Sequence, residues 1–421
     1  MITLIEAKNY LALRYIRQTL RRFEVLTGPN AAGKTTFLDV LSFLSDLVRS
    51  GPEAAIKYRT DVFSDLVCGH GDSAFELAIE ADIPPEKRRL LTRKEFDTIR
   101  YEVRIGAPPD GGPVGIAEER AILTAKGVAE SPDDLGELFP RSIVAPSSIF
   151  LATPSSKRKV VLRKNPSGND NFYSESLPNR GHGWLPSFKF GPYKPGLANV
   201  PDDGTRFPVT LWFRDFIAND VQRLVLDSLA MRKASPPGQS KGFKLDGSNL
   251  PWVVKGLIET SPDSFQQWIS HVQTALPDLD TIRVVERNED RHAYLVIKYV
   301  EGLEVPSWTV SDGTLRLLAL TLPPYLPELR GVFLIEEPEN GIHPRAVEAV
   351  IQSLSSVYHA QVLIATHSPI ILNSVNLEDV LCFQKDEHGQ TDVVAGPNHP
   401  ALRDWKHETS LGVMFASGIL G

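Results

Sequence analysis

The sequence predicts an α/β fold, and three apolar runs, each ending in polar chemistry, predict it. Arg22 to Thr27 reads as a short buried strand, and Thr36 to Leu44 after it as a helix with apolar residues at helical spacing. Val332 to Ile335 is a second run, closed by Glu336 and Glu337. Val362 to Ala365 is a third, closed by Thr366 and His367. Runs this apolar are strands covered on both faces, as in a parallel sheet, and ligands gather at the carboxyl ends of such strands.

Between the first strand and its helix stands Gly28-Pro29-Asn30-Ala31-Ala32-Gly33-Lys34-Thr35, which fits the phosphate-loop spacing G-x-x-x-x-G-K-[ST]. The glycines let the backbone turn tightly and aim a row of N–H groups into one concave anion site at a helix start. Asn30, Ala31, Ala32, Gly33, Lys34, Thr35 and Thr36 are therefore the expected phosphate-binding residues. Lys34 brings a full positive charge to the β- and γ-phosphates, and the Thr35 hydroxyl is a ligand for Mg²⁺. A nucleoside triphosphate is the expected ligand.

Elsewhere the elements follow from periodicity and punctuation. Ile2 to Lys8, Phe75 to Asp82 and Ile99 to Ile105 read as strands, with a charged helical piece around Pro85 to Phe96 and a Gly/Pro loop at Asp110 to Gly115. Residues 154–208 are rich in Pro, Gly, Ser, Asn and Lys and read as a long, partly mobile excursion. Val209 to Ala234 carries apolar residues at helical spacing and is expected as one long helix, followed by a loop over Ser235 to Ser248. Pro262 to Ala275 is a second helix with Ser261 as N-cap. Ile282 to Glu286 and Ala293 to Tyr299 form a hairpin across Asn288-Glu289-Asp290, and from Ser311 onward helix and strand alternate tightly.

That last region supplies a second set of site candidates. Glu336 can reach a Mg²⁺ shell, and Glu337 can hold and polarise the water that attacks a γ-phosphate. Ser311-Asp312-Gly313 opens a helix at Thr314-Leu315-Arg316, with Ser311 or Asp312 as N-cap; its N–H groups make another anion site. His367 can donate to a γ-phosphate oxygen. Each has an ordinary structural counterpart: surface acids at a strand end, a helix cap, a backbone-satisfied histidine. Their co-occurrence argues for the chemistry.

Composition sets the outer limits. The 421 residues include 42% hydrophobic and 23% charged side chains with a net charge of -7, which gives no general attraction to nucleic acid or anionic lipid. The two cysteines, Cys68 and Cys382, lie far apart and make no zinc spacing, so a reducing cytoplasm is the expected compartment. No signal peptide is evident at Met1 to Glu6, and no apolar run approaches the roughly 20 residues that span a bilayer. The expected partners exclude a membrane.

Taken in order, these motifs resemble the ABC-type ATPase head, in the branch that holds RecF, the SMC heads, the OLD-family nucleases and stand-alone ATPases of bacterial anti-phage systems. In that resemblance Gly28 to Thr35 is Walker A, Ser311-Asp312-Gly313 the signature, and Glu336-Glu337 Walker B plus catalytic glutamate. Pro338-Glu339-Asn340-Gly341-Ile342-His343-Pro344 is the D-loop region, and His367 the switch histidine. The likeness covers about residues 1–80 and 281–375. It implies a mixed central sheet flanked by helices, with an antiparallel β subdomain and a helical insertion. Residues 1–150 with 281–421 would form the head, and 151–280 an insertion or lid with its long loop at about 154–208. Glu336 replaces the aspartate of many relatives. No Q-loop glutamine is evident, since Gln222 falls in the expected long helix and Gln239 in a loop. Tyr10, Arg14 and Tyr15 are the candidates for stacking on adenine.

The resemblance implies ATP and Mg²⁺ as cofactors, hydrolysis to ADP and phosphate, and a homodimer or larger even-numbered assembly. Two nucleotides would lie sandwiched between Walker A of one copy and Ser311 to Gly313 of the other. The stretch after His367 is too short for the Toprim nuclease of OLD relatives, so the expected effector is a separate protein, a nuclease among the candidates. The apolar tail Leu411 to Gly421 reads either as a docking segment or as a terminal helix packed on its own sheet. Basic runs at Lys87-Arg88-Arg89, Arg93-Lys94, Lys157-Arg158-Lys159, Arg163-Lys164 and Lys241 to Lys244 make double-stranded DNA a further expected partner. A role in DNA repair or antiviral defence follows from the family. The competing readings are a nucleotide-gated scaffold with negligible turnover and the ATPase subunit of a transporter.

Overall fold

The structure is a computed structural model that describes residues 1–70, 73–107, 113–125, 139–141, 144–152, 157–165, 168–176, 186–239, 242–402 and 410–420. The Asp110 to Gly112 part of the expected Gly/Pro loop and Lys241 of the last basic run lie outside the described residues. The strands are β1 (Ile2–Tyr10), β2 (Leu13–Thr19), β3 (Phe23–Thr27), β4 (Ala74–Asp82), β5 (Thr98–Gly106), β6 (Gly115–Thr124), β7 (Arg158–Lys164), β8 (Asp170–Phe172) and β9 (Ser187–Phe188). They continue as β10 (Val221–Leu224), β11 (Leu279–Glu286), β12 (Ala293–Tyr299), β13 (Glu304–Pro306), β14 (Gly331–Glu336), β15 (Ala360–Ala365), β16 (Val380–Lys385) and β17 (Thr391–Ala395). The helices are α1 (Lys34–Lys57), α2 (Pro85–Arg88), α3 (Pro208–Asp215), α4 (Ser228–Arg232), α5 (Leu250–Thr260), α6 (Pro262–Ala275), α7 (Asp312–Thr321), α8 (Pro344–Ser355), α9 (Pro369–Leu372) and α10 (Leu411–Ala416).

The chain divides into two units. The first comprises Met1–Arg21, Pro29–Val221 and Cys382–Arg403, and the second Arg22–Gly28, Gln222–Leu381 and Asp404–Gly421.

In the first unit an eight-stranded sheet runs in the order β2-β1-β4-β5-β6-β7-β8-β9, with antiparallel pairing. The register sets Glu80 opposite Arg100 and Ala78 opposite both Glu6 and Glu102, so the charged side chains share one face and Phe75, Leu77 and Ile79 the other. On the apolar face the rings of Tyr10, Phe43 and Phe75 pack with centroids 4.9 to 5.7 Å apart. The charged face is buried too. Arg100, 1% exposed, reaches Glu6 at 2.6 Å, Glu102 at 2.7 Å and Glu80 at 3.1 Å. Residues 147–151 are strapped across it: Lys8 Nζ donates to Ser147 O, Ile149 N to Glu76, Arg100 to Ile149 O, and Leu151 N to Glu102. A buried charge is tolerable when every partner is hydrogen-bonded in this way.

Two expectations about this unit are corrected. Described residues of the excursion expected over 154–208 form strands, because β7, β8 and β9 continue the sheet there. A buried Lys164–Asp170 pair at 2.5 Å anchors them, and Glu175 accepts hydrogen bonds from Val209 N at 2.6 Å and Thr210 N at 2.9 Å. The Pro, Gly and Asn that suggest a loop sit between short strands whose neighbours, not their own pattern, make them strands. The charged helix around Pro85 to Phe96 shrinks to α2.

The long helix expected over Val209 to Ala234 is also not formed. After α3 a π-turn at Phe216–Asp220 releases the Ala218 carbonyl to Arg49 Nε at 3.0 Å, and the chain leaves as β10. Val221 to Leu224 thus becomes a strand paired beside β14, a case of sheet pairing overriding local periodicity.

In the second unit the strands lie in the order β10-β14-β15-β3. β14, β15 and β3 are parallel, with Glu336 opposite Ala365 and Ala365 opposite Leu26. Their carboxyl ends are therefore level. Helix α6 forms as expected, with Ser261 at the N-cap position but without a side-chain capping bond. Its Trp268 is fully buried and donates to Thr321 on α7 at 3.0 Å, in a core shared with α5, β11 and β12. The tail forms α10, whose Gly412 N donates to Asn373 Oδ1 at 3.0 Å just beyond α9. Both cysteines are free thiols, and burial pushes Cys382 up to about 12. Among the described residues no helix is long and apolar enough to cross a membrane.

Candidate nucleotide site

The level strand ends of the second unit bring its candidate residues together. Glu337 N donates to Ala365 O at 2.8 Å and Thr366 N to Leu26 O at 3.0 Å, so the three chain exits are hydrogen-bonded to one another. This places His367 Nε2 3.4 Å from Glu337 Oε1. Glu337 has the left-handed backbone angle φ 47°, a conformation that costs a non-glycine residue free energy and that clusters at functional sites. The turn is closed by Asn340 N to Glu337 O at 3.0 Å and Ile342 N to Glu339 O at 3.0 Å.

That turn folds Glu339 back toward Thr366, whose buried hydroxyl donates to Glu339 Oε1 and accepts from Ser368 N at 2.9 Å. The other oxygen, Glu339 Oε2, is buried with no protein hydrogen bond. Burial, and after it the neighbouring Glu337, push the Glu339 carboxyl up to about 7 against the opposing pull of Thr366. An unfolded glutamate titrates near 4.5. Between these values the folded chain keeps a proton that the unfolded chain has released, so stability falls as pH rises through that window. Glu339→Gln is expected to remove this slope, raising stability by roughly 1–2 kcal/mol at about pH 8 and by nothing at about pH 4. Thermal melts across the range check it.

Of the phosphate loop, Pro29 to Thr35 belong to the first unit and Gly28 to the second. Ala31 at φ 62° and Gly33 at φ 103° bend the backbone through left-handed conformations, and Gly33 is the N-cap of α1. A Cβ on Gly33 would collide with the Thr391 side chain, so glycine is required there by space as well as by φ. Lys34 is 5% exposed and donates from Nζ to Pro29 O at 3.0 Å, which folds the ammonium back over the loop. Asn30, Ala31 and Thr35 are exposed, Thr36 is half-buried, and Ala32 is buried.

Ser311 caps α7, its Oγ accepting from Thr314 N at 3.2 Å. Asp312 pairs with Arg232 at 2.9 Å, and Arg232 also donates to Val310 O at 2.9 Å. A Cβ on Gly313 would collide with the carbonyl oxygen of Gly341, so this glycine lets the start of α7 lie directly on the turn at Gly341. His343 then caps α8, Nδ1 accepting from Arg345 N at 3.2 Å.

Two further expectations are corrected. Tyr10 cannot stack on adenine: it is fully buried and its hydroxyl lies 2.5 Å from Asp39 Oδ2, which Arg59 also holds. Gln222 is not helical but stands on β10, beside the strand that carries Glu336. The residues that motif spacing did not single out are Arg223, Glu339, Thr366 and Thr391. Glu339 and Thr366 lie within quoted motifs but were given no role there, whereas nothing local marks Arg223 or Thr391.

Mg²⁺ prefers a few hard oxygen donors and completes its shell with water and phosphate. The exposed Thr35 and the Glu336 carboxylate, 26% exposed, are donors of that kind. Among the described residues no cluster of three or more His, Cys, Asp or Glu could hold a metal by itself.

The family described as "AAA domain, putative AbiEii toxin, Type IV TA system" matches residues 23–373. Among solved structures, the crystal structure of the SmcHead bound to the C-winged helix domain of ScpA is similar at 13% identity and TM-score 0.52, covering 93% of this chain and 96% of that one. The Smc head domain with an extended coiled coil, bound to the C-terminal domain of ScpA derived from Pyrococcus furiosus, is similar at 12% identity and TM-score 0.51. That alignment covers 93% of this chain and 95% of its counterpart. The fold is that of an ABC-type ATPase head of the SMC/RecF-like branch.

Proposed function

The chain belongs to the AAA_21 family of AAA domains, and from that premise we propose that it binds and hydrolyses ATP as a nucleotide-sandwich homodimer. The observation that carries the reading is the contact of Glu337 with His367 across level strand ends. The phosphate loop and its buried Lys34 support it.

In this reading Asn30 to Thr36 wrap the phosphates with backbone N–H groups, and Lys34 neutralises charge between the β- and γ-phosphates. Thr35 and Glu336 would hold Mg²⁺, which would supply positive charge to the phosphate oxygens. Glu337 orients the attacking water and accepts its proton, while His367 donates to a γ-phosphate oxygen. Ser311 to Gly313 of a second copy complete the site with the N–H groups of α7.

We further place the protein in the cytoplasm as the sensor or clamp of a DNA-repair or defence system with a separate effector. The family description names a toxin of a type IV TA system, and the SmcHead structure holds a domain of ScpA, so a protein partner is a reasonable part of the reading. The proposed DNA contact rests on the basic runs read from the sequence, less Lys164, which pairs with Asp170. A nucleotide-gated scaffold is the second reading, favoured by the exposed signature residues Ser311 and Asp312.

Phosphate release and light scattering test the proposal together. The wild-type chain is expected to release phosphate from MgATP and to double its mass, and Lys34→Ala to do neither. Dimerisation without phosphate release would establish the scaffold. A wild type that neither binds ATP nor changes mass would refute both readings.

A further inference from the structure

Glu336, the last residue of β14, has a cation of this chain's own on it. Arg223 Nη2 lies 2.6 Å from Glu336 Oε1. Arg223 comes from β10, the strand beside β14, and its side chain is 50% exposed. The guanidinium therefore approaches the carboxylate from the sheet edge, where solvent also has access.

We propose that Arg223 is a tethered counter-cation that occupies Glu336 until Mg²⁺ takes its place, and so sets the Mg²⁺ concentration at which the nucleotide complex forms. The inference rests on the reading of Glu336 as a Mg²⁺ residue. A guanidinium held on Glu336 Oε1 and a divalent ion on the same carboxylate repel each other and draw on one negative charge, so each weakens the hold of the other. Displacement is feasible because a half-exposed ion pair is weak, whereas a fully buried one would resist exchange. The arrangement neutralises Glu336 in the metal-free chain without sealing it. It also accounts for β10, a strand absent from the expected architecture, since the pairing of β10 with β14 delivers the arginine.

The test is a Mg²⁺ titration of the full chain at a fixed concentration of a fluorescent ATP analogue. It compares wild type, Arg223→Gln, Arg223→Lys, Glu336→Gln and the Arg223→Gln/Glu336→Gln double variant. Binding of the analogue is the readout, so no turnover is needed. Arg223→Gln is expected to lower the Mg²⁺ midpoint about three- to fivefold. Arg223→Lys keeps the charge but loses the planar fork, and is expected to fall between. In the Glu336→Gln background the Arg223 substitution should shift nothing, because the two act through one contact. An unchanged or higher midpoint in Arg223→Gln would overturn the inference, as would the same shift in the Glu336→Gln background. Loss of analogue binding in wild type at every Mg²⁺ concentration would instead remove the nucleotide reading beneath it. Arg223→Lys guards against misfolding of the glutamine variant.

Discussion

Glutamine in place of Glu337 is expected to slow ATP turnover by about 10²- to 10⁴-fold while leaving nucleotide binding intact. Glutamine keeps the shape and one acceptor oxygen, so the turn at φ 47° and the approach to His367 can survive. What it loses is the capacity to take a proton from water. With hydrolysis stalled, the sandwich proposed above should persist, so the variant is expected as a dimer with MgATP where wild type exchanges. Phosphate release measures the first effect and light scattering with MgATP the second. A Glu337→Gln protein that turns over like wild type would take the general-base role from this residue. His367→Ala should then cost less than Glu337→Gln, because a lost donor weakens charge stabilisation without removing the base.

Methionine in place of Arg100 is expected to destabilise the fold by about 3–5 kcal/mol. The guanidinium binds Glu6, Glu80 and Glu102 and the Ile149 carbonyl, and it is 1% exposed. Removing it leaves carboxylates crowded in a buried site with no cation between them. Burial already raises the Glu102 carboxyl above its ordinary range, with Arg100 the chief opposing influence. Without Arg100 that carboxyl should protonate more readily, and stability should fall as pH rises through the weakly acidic range. Urea unfolding of Arg100→Met checks the size of the loss. Adding Glu102→Gln should recover part of it, since one of the stranded charges is then gone. A loss under about 1 kcal/mol would mean that water reaches this face and screens it.

Much of this was legible in the sequence because it is local. The phosphate loop, the signature turn and the two strands ending in Glu336-Glu337 and Thr366-His367 are contiguous, so residue type and spacing carry the argument. Ser311 caps α7 and Pro262 opens α6 where punctuation puts them. The segment around Val221 could not be read in the same way. Its apolar residues satisfy a helical period, and only the available edge of β14 makes it a strand. Likewise β7 to β9 carry too few apolar residues to announce themselves, and they exist because β6 offers hydrogen bonds and Lys164 finds Asp170.

By itself the sequence determined the α/β class, the phosphate loop, the carboxylate and histidine candidates and their order along the chain. These follow from backbone conformation and burial over a few residues. The tertiary structure alone decided that Tyr10 is core, that Thr391 enforces glycine at position 33, that Glu339 answers to Thr366, and that Arg223 pairs with Glu336. Each joins residues distant in sequence or reversed by a turn. Strand pairing chooses such neighbours by the sum of many weak contacts, which no short stretch of chain encodes.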